Sequence, residues 1–284
     1  MPDVVVCGPA SWNELVTLDA LPEPRPHTVF ARSAHETLGG TSAGKALHLA
    51  QRGRSVRLHT VVGDDDVAPR ILGALQASGV DVAARRVAGP SERHLNLMTE
   101  RGERVSIYLA TPAEPGEPPL GLSGLAGLAD ARAVVLDLAP WTRELALADG
   151  AGAGLPIWTD LHDYDGSAPF HEPYLAAARR VFLSNDAMPE PLPFMHATVD
   201  RGAELVVCTL GADGALAVDA DHHELRVAAP HVERVVDTNG AGDAFFAGFL
   251  DATLHGATVE QALRTAADQS GRALGSRHLS PLLD

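Results

Sequence analysis

The sequence predicts an α/β fold in which helices cover both faces of a mostly parallel β-sheet. Short β-rich runs alternate with helical patterns through most of the chain, and the runs VVVC and LVVC are wholly apolar, as expected of strands buried on both faces. A few segments with the sequence pattern of antiparallel strands interrupt this alternation. The candidate strands of the main sheet are Val4–Cys7, Ser55–Val61, Ala133–Leu136, Pro156–Thr159, Arg180–Leu183 and Glu204–Thr209.

Helical patterns lie between these strands. Val67–Ser78 carries Ile71, Leu72 and Leu75 at helical spacing, and Thr142–Asp149 is a second example. Helices in these positions are typical of the crossovers that join parallel strands.

A small second sheet is predicted from the segments with the sequence pattern of antiparallel strands. Its strands are Thr28–Ala34 and the pair His94–Thr99 and Arg104–Ala110, joined by a turn at Glu100–Glu103. These strands would stand off the main sheet as a lid. The linker-like segment 111–124, rich in proline and glycine, would return the chain to the main body.

Composition and charge exclude several classes of function. The chain has 284 residues, 45% of them hydrophobic, a mean hydropathy of +0.01 and a formal net charge of -15. This charge, without a basic stripe, argues against nucleic-acid binding. No window reaches the roughly 18 apolar residues of a membrane span, and the N-terminus lacks a secretory pattern, so a cytoplasmic protein is expected. Cys7 and Cys208 end apolar runs and are expected in the core, without a disulfide framework.

Residues Gly39–Lys45, GGTSAGK, contain the only lysine and match the spacing of a phosphate-binding P-loop. A working P-loop needs Ser or Thr directly after the lysine to bind Mg²⁺, and this chain has Ala46 there. The segment also follows lid-like sequence rather than the first strand of the sheet. We therefore interpret it as a glycine-rich helix start, where Gly39 and Gly40 let the backbone approach a bound molecule closely.

A stronger signal is the stretch VVDTNGAGDAFFAGFLDATL at 235–254. The small residues before Asp243 let successive backbone N–H groups converge at a helix N-terminus, which attracts anions. Helix capping alone could explain Asp243, but it explains neither the flanking glycines nor the second aspartate, Asp237. A carboxylate that takes a proton from a hydroxyl, beside amides that hold a phosphoryl group, explains all of these features.

The motif D-T-x-G-A-G-D at 237–243 is the C-terminal signature of the ribokinase-like, or PfkB, carbohydrate kinases, and the chain resembles this family over nearly its whole length. The resemblance implies a single kinase domain over 1–284, folded as a three-layer αβα sandwich with a mostly parallel central sheet and a small antiparallel β lid. The lid strands would come from about 13–34 and 91–110. Further matching segments are Val4–Gly8 with Asn13, Gly39-Gly40, Val62–Asp65, Asn185 and Thr209–Ala215.

The resemblance also implies an activity, the ATP-dependent phosphorylation of a hydroxymethyl group on a small sugar or sugar acid. Asp243 would deprotonate the hydroxyl as its oxygen attacks the γ-phosphorus of ATP. The amides of Gly240, Ala241 and Gly242 would stabilise the charge on the transferring phosphoryl group. Mg²⁺ would bridge the phosphates of ATP.

The remaining site residues are carried over from the same family by position. The expected nucleotide-binding residues are Asn185, Thr209, Gly211 and Gly214. The expected substrate-binding residues are Asn13, Gly39, Gly40, Gly44, Lys45, His94 and Asn96. A monovalent cation such as K⁺ would bind at Asp237 and Asn239.

Three positions depart from the family pattern. Asn13 stands where the family usually has Asp, and Gly44 stands where it commonly has Asn. The glutamate of the family's N-x-x-E motif falls on Met188, which offers no oxygen to order Mg²⁺, and Glu190 lies two residues later. The first two departures predict an unusual acceptor, and the third leaves low activity open.

Two alternatives therefore stay open. The chain could be a nucleoside or sugar-phosphate kinase of this family, in which Lys45 or the lid residue Arg93 would bind an acceptor phosphate. It could also be a catalytically weak member that binds a sugar or nucleotide. An aromatic content of only 5% favours a sugar over a nucleoside.

Two further expectations concern a loop and the lid. His162 and Asp163 follow a strand at the sheet edge where α/β proteins bind ligands, and His171 and Asp165 are close in sequence. Their spacing matches no zinc pattern, so we interpret this segment as a polar loop rather than a metal site. The family resemblance implies a homodimer formed through the lid. Apolar lid positions that would suit it are Leu95, Leu97, Ile107 and Leu109.

Overall fold

The computed structural model describes residues 1–99, 102–116, 125–128, 131–149 and 154–284, and its largest element is a nine-stranded sheet. Seven neighbouring strands pair in parallel, and an antiparallel hairpin extends one edge. From the hairpin edge, the spatial order is β13 (Glu224–Val227), β12 (Ala215–Asp219), β11 (Leu205–Thr209), β10 (Arg180–Ser184), β9 (Ile157–Asp160), β8 (Ala133–Asp137), β1 (Val4–Cys7), β4 (Val56–Val62) and β5 (Asp81–Arg86).

Helices cover both faces of this sheet because its strands are apolar on both sides. Along β1, Val4 and Val6 enter one hydrophobic core, whereas Val5 and Cys7 enter the other. The first core is closed by α1 (Thr41–Gln51), α2 (Ala68–Ala77), α6 (Ala241–Leu254) and α7 (Val259–Ala273). The second is closed by α3 (Pro140–Asp149), α4 (Glu172–Ala177) and α5 (Leu192–Asp200).

The six strands predicted for the main sheet are all present, with ends within one residue of those expected. The sequence analysis missed β5 and the hairpin strands β12 and β13. Cys7 and Cys208 are free and buried, as predicted, and burial raises the pKa of each thiol to about 12. Among the described residues, no helix combines the length and apolar character needed to cross a membrane.

The lid is a four-stranded sheet in the order β3-β2-β6-β7. Its outer pairs are antiparallel, and its central pair, β2 with β6, is parallel. The strand ranges are β2 (Ser11–Leu18), β3 (Ser33–Gly39), β6 (Arg93–Thr99) and β7 (Arg104–Ala110).

The predicted lid strand Thr28–Ala34 is wrong. Its partner β2 ends at Leu18, and the register pairs Thr17 with Ser33, so residues 28–32 extend beyond the strand that could pair with them. The β-rich sequence there therefore has no ladder to join. The observed strand is shifted towards the C-terminus and leads directly into α1, which places Gly39 and Gly40 at a strand-to-helix turn.

The hairpin between β6 and β7 is confirmed by its antiparallel register and by a hydrogen bond from the Thr99 N–H to the Glu103 carbonyl, 3.0 Å long. Positions 100 and 101 of the predicted turn lie outside the described residues. Of the linker-like segment 111–124, residues 111–116 carry neither helix nor strand, and 117–124 are likewise outside the described part.

Candidate active site

A buried lysine joins three carboxylates at the carboxyl edge of the main sheet. Lys45 Nζ lies 2.8 Å from Asp243 Oδ1 and 3.1 Å from a carboxylate oxygen of both Asp137 and Asp160. The Lys45 side chain has no exposed surface. Since an ammonium group has three hydrogens, each can be directed to a different carboxylate.

The fold explains why these residues meet. Asp137 and Asp160 are the last residues of β8 and β9, which are parallel neighbours and therefore end at the same edge. Lys45 lies in the second turn of α1, and Asp243 lies in the first turn of α6, which packs against α1. Phe246 adds an aromatic contact, with its ring centroid 5.3 Å from Lys45 Nζ.

His162 completes this cluster from the loop after β9. Its Nε2 lies 2.9 Å from Asp137 Oδ1, and its Nδ1 lies 3.5 Å from Asp160 Oδ2. Burial opposes the imidazolium form, but the Asp160 and Asp137 carboxylates favour it, and the pKa of His162 is raised to about 9. His162 also has a φ of 55°, which is uncommon outside glycine and recurs at functional sites.

The three carboxylates have very different proton affinities. Burial would raise the pKa of Asp137 and of Asp160, but the positive charges of Lys45 and His162 lower both. For Asp243, burial outweighs Lys45, the Asp137 carboxylate adds to the increase, and the pKa rises to about 6. Asp243 is therefore the group of the cluster that exchanges a proton near neutral pH.

Gly44 makes room for the Asp243 carboxylate. A Cβ atom at Gly44 would lie 2.3 Å from Asp243 Oδ2, far inside van der Waals contact. This explains the departure from the family's usual Asn at this position, because any side chain would displace the aspartate.

The N-terminus of α6, where backbone N–H groups attract anions, lies beside Asp243. Gly240 caps the helix with a φ of 78°, and a Cβ atom there would lie 2.4 Å from the Leu279 carbonyl. A Cβ at Gly242 would meet nothing within 4 Å, so the space above the first turn is open. The Ala241 N–H donates to the Thr238 carbonyl over 3.4 Å, a long bond that an anion can replace.

The inner face of the lid presents a polar row that crosses all four strands. The register aligns Thr37, Asn13, His94 and Tyr108, one residue from each strand. Rings of His94 and Tyr108 lie 4.0 Å apart between centroids. The buried Asn96 Oδ1, on the same face, has no hydrogen-bond partner within the part of the chain that the structure describes. A sugar hydroxyl could donate to it.

Asn13 is held in place by its neighbours. Its Oδ1 accepts a hydrogen bond of 2.7 Å from the Ser11 hydroxyl, and a Cβ atom at Gly39 would lie 2.1 Å from its Nδ2. Gly39 is thus required for the buried position of Asn13, as Gly44 is for Asp243.

The expected nucleotide-binding residues lie together at the ends of β10 and β11. The Asn185 N–H donates to the Thr209 carbonyl over 3.0 Å, and Gly211 and Gly214 frame the short 3₁₀ turn that follows. Both glycines have positive φ, 57° and 95°. The assignment of these residues to ATP binding stays a prediction.

Met188 lies in an apolar environment. It contacts the apolar core on the α3–α5 side, and its Cε would lie 3.2 Å from a Cβ at Gly166. Two exposed acidic residues flank it at equal spacing: Glu190, and Asp186, whose Oδ2 accepts a 2.9 Å hydrogen bond from the Ser184 hydroxyl.

Asp237 and Asn239 form a compact turn just before the anion site. The Asn239 N–H donates to Asp237 Oδ1 over 2.7 Å, and burial raises the pKa of Asp237. The buried Asn239 Nδ2 has no partner within the described ranges.

The sequence analysis missed the roles of Asp137, Asp160 and His162 in one cluster. The available signal was positional: Asp137 and Asp160 each end an apolar run of the parallel sheet, and such ends converge at one edge. Lys45, expected to bind the substrate, is fully buried and bound to the three carboxylates.

Comparison with known proteins agrees with this geometry. Residues 179–278 match the family model described as pfkB family carbohydrate kinase. Over 272 residues the chain is 33% identical to acarbose 7(IV)-phosphotransferase of Actinoplanes sp., covering 93% of this chain and 89% of the relative. The chain belongs to the pfkB family of carbohydrate kinases. The kinase is also 29% identical over 228 residues to fructoselysine 6-kinase of Escherichia coli, covering 79% of the chain and 85% of the relative.

Solved structures confirm the fold predicted from the sequence. The kinase resembles a microbiome-derived acarbose kinase with a TM-score of 0.84 and 31% identity, covering 97% of this chain and 93% of the other. It superposes on Arabidopsis thaliana ribokinase complexed with ribose and ATP with a TM-score of 0.82 at 21% identity. The match covers 99% of this chain and 95% of the ribokinase. The predicted ribokinase-like fold and carbohydrate kinase activity are confirmed.

The charge state of His162 is directly testable. We expect its imidazole to titrate near pH 9 in nitrogen-15 NMR, and we expect Asp160→Asn to lower this pKa because the imidazolium loses its main negative partner. His48, whose pKa burial lowers, is the internal control and should not change. Titration of His162 at an unperturbed value in both proteins would contradict the ion-pair network.

Proposed function

We propose that the kinase transfers the γ-phosphoryl group of ATP to a hydroxymethyl group of a sugar or glycoside that carries no negative charge. One observation carries the proposal: the Asp243 carboxylate, with its raised pKa, lies in the first turn of α6, beside the anion-binding amides of that turn. A base and an anion site are then adjacent on rigid backbone, as in-line phosphoryl transfer requires.

In the proposed reaction, the acceptor O–H bond breaks as its oxygen attacks the γ-phosphorus. The proton passes to the Asp243 carboxylate, the bond between the γ-phosphorus and the bridging oxygen breaks, and ADP leaves. Amides of Gly240, Ala241 and Gly242 donate hydrogen bonds to the charge that develops on the phosphoryl oxygens. The dipole of α6 adds to this stabilisation.

The charge of the site supports a neutral or cationic acceptor. Three carboxylates face one lysine and one histidine, which leaves a net negative charge even when His162 is protonated. Lys45 has no exposed surface with which to bind an acceptor phosphate. Of the sugars and sugar acids expected from the sequence, neutral sugars are therefore favoured, and a sugar phosphate would be repelled.

The polar groups of the lid also favour a neutral sugar over a sugar phosphate as the acceptor. Asn13, Asn96 and His94 are buried polar groups on its inner face, and the Asn96 carbonyl oxygen needs a donor. Tyr108, which is 64% exposed, continues this polar row beside His94, and the lid strand β3 leads directly into α1, which carries Lys45 of the cluster. An acceptor bound between the lid and the cluster would meet hydroxyl-binding groups on one side and Asp243 on the other.

Two cations fit the residues of the site. Mg²⁺ prefers oxygen ligands and enters with ATP, whose phosphate charge it offsets when bound; Asp186 offers an exposed carboxylate in the loop where Met188 cannot. A monovalent cation fits beside Asp237, a half-buried carboxylate for which the described residues show no ion pair. With either cation bound, Asp243 remains the proposed proton acceptor.

A substrate panel with a base variant tests the function. We expect Mg-ATP and either acarbose or ribose to release ADP above the acceptor-free rate, with glucose 6-phosphate and gluconate inactive. Asp243→Asn should lower kcat by about 10²–10⁴-fold because the general base is lost. Asp268→Asn, at an exposed position of α7, is the matched control. An Asp243→Asn variant with wild-type turnover would exclude this base.

The pH dependence should report the same carboxylate. The pKa of Asp243 is about 6, so the base is protonated below that value, and kcat/KM should fall by about tenfold for each pH unit on the acid side. The measurement is kcat/KM for the acceptor at saturating Mg-ATP. A flat profile through this range would show that another group takes the proton.

A second copy of the chain is proposed to cover the outer face of the lid. Val105, Ile107 and Leu109 lie on one face of the edge strand β7 and are 42%, 41% and 49% exposed. An exposed apolar edge strand is normally paired or covered. We expect sedimentation to show a dimer that Ile107→Glu converts to a folded monomer; a monomeric wild-type protein at micromolar concentration would reject the interface.

A further inference from the structure

Two adjacent residues of α1 contact the two oxygens of the Asp243 carboxylate: Lys45 donates a hydrogen bond to one, and Gly44 leaves space for the other. Asp243 Oδ1 accepts the 2.8 Å hydrogen bond from Lys45 Nζ. Asp243 Oδ2 lies over the backbone of Gly44, where a Cβ atom would come within 2.3 Å. Within the described part of the chain, Oδ2 accepts no hydrogen bond.

Lys45 is itself fixed from the opposite side. Asp137 and Asp160 hold its ammonium group at 3.1 Å each, and Asp137 Oδ2 accepts a further 3.0 Å hydrogen bond from the Ser42 hydroxyl. The Asp137 and Asp160 carboxylates belong to strand ends, which are rigid. Lys45 therefore transmits the geometry of the sheet edge to a side chain on α6.

We propose that Gly44 and Lys45 are positioning residues for the base: Lys45 fixes Asp243 Oδ1 against the sheet edge, and Gly44 leaves Oδ2 free to take the proton of the acceptor hydroxyl. This inference rests on the proposed role of Asp243. It assigns a role to the only lysine of the chain, and it explains why a glycine precedes that lysine.

A purely structural ion pair would behave differently. Breaking it would change stability and the pKa of Asp243, but kcat of the folded protein would return to the wild-type value once the pH is high enough to deprotonate Asp243. If Lys45 positions the base, its removal also takes away the cation nearest to Asp243. The groups left around Asp243 are then Asp137, Asp160 and His162, so the proton affinity of Asp243 must rise.

The primary variant is Lys45→Met, which keeps the length and apolar stem of the side chain. We expect the carbon-13 carboxyl resonance of Asp243, assigned with Asp243→Asn, to titrate at least about one pH unit higher than in the wild-type protein. With the best acceptor of the panel, kcat at neutral pH should fall by about 10²-fold. The KM for Mg-ATP should stay within about threefold, and raising the pH should restore part of kcat.

The second variant, Gly44→Ala, tests the other half of the proposal without changing a charge. Its methyl group must displace Asp243 Oδ2, so kcat should fall by about 10²-fold while the protein stays folded. Gly73→Ala is the matched control, because a Cβ at this position of α2 meets nothing within 4 Å. Its kcat should equal that of the wild-type protein.

The outcomes separate this proposal from the function on which it rests. A folded Lys45→Met protein with the wild-type Asp243 titration overturns the positioning role, and this measurement needs no acceptor. Full kcat in Gly44→Ala overturns it as well, and decides the matter if Lys45→Met fails to fold. Wild-type turnover in Asp243→Asn would instead reject the base itself.

Discussion

The contact of one buried ammonium group with three carboxylates is the interaction on which the site depends. Parallel strands bring Asp137 and Asp160 to the same edge, and α6 adds Asp243. Three like charges at this depth would repel one another strongly without a cation, and burying an unpaired charge costs several kcal/mol. Lys45 is the cation that stabilises the three neighbouring carboxylates. Because Lys45 lies in the second turn of α1, its position depends on α1 beginning directly after the lid strand β3.

The same contact separates the chemical roles of the carboxylates. Asp137 and Asp160 are close to both positive groups, and their pKa values are lowered, so they remain ionised. Asp243 is shielded from water and shares Lys45 with the other two, so its pKa is raised to about 6. Similar side chains thus stay ionised in two cases and can exchange a proton near neutral pH in the third, because their environments push their proton affinities apart.

The contacts of three residues explain the departures from the family pattern. Gly44 is small because Asp243 Oδ2 occupies the space of its side chain, and Asn13 lies against Gly39, where it bonds to Ser11. Met188 joins the apolar layer beside α3–α5. The substitutions therefore fall at the positions predicted to bind the acceptor and the metal, while the proposed base and anion site at α6 keep the family sequence.

The sequence by itself determined the alternation of strands and helices, the glycine-rich start of α6 and the place of Asp243, because apolar periodicity and glycine spacing are local properties. It did not determine the lid strand after Thr28, since a strand exists only as far as its partner extends, and β2 ends at Leu18. Nor did it determine the function of Lys45. The contacts that define this lysine join residues 92 and 198 positions apart, so only the tertiary structure could bring them together.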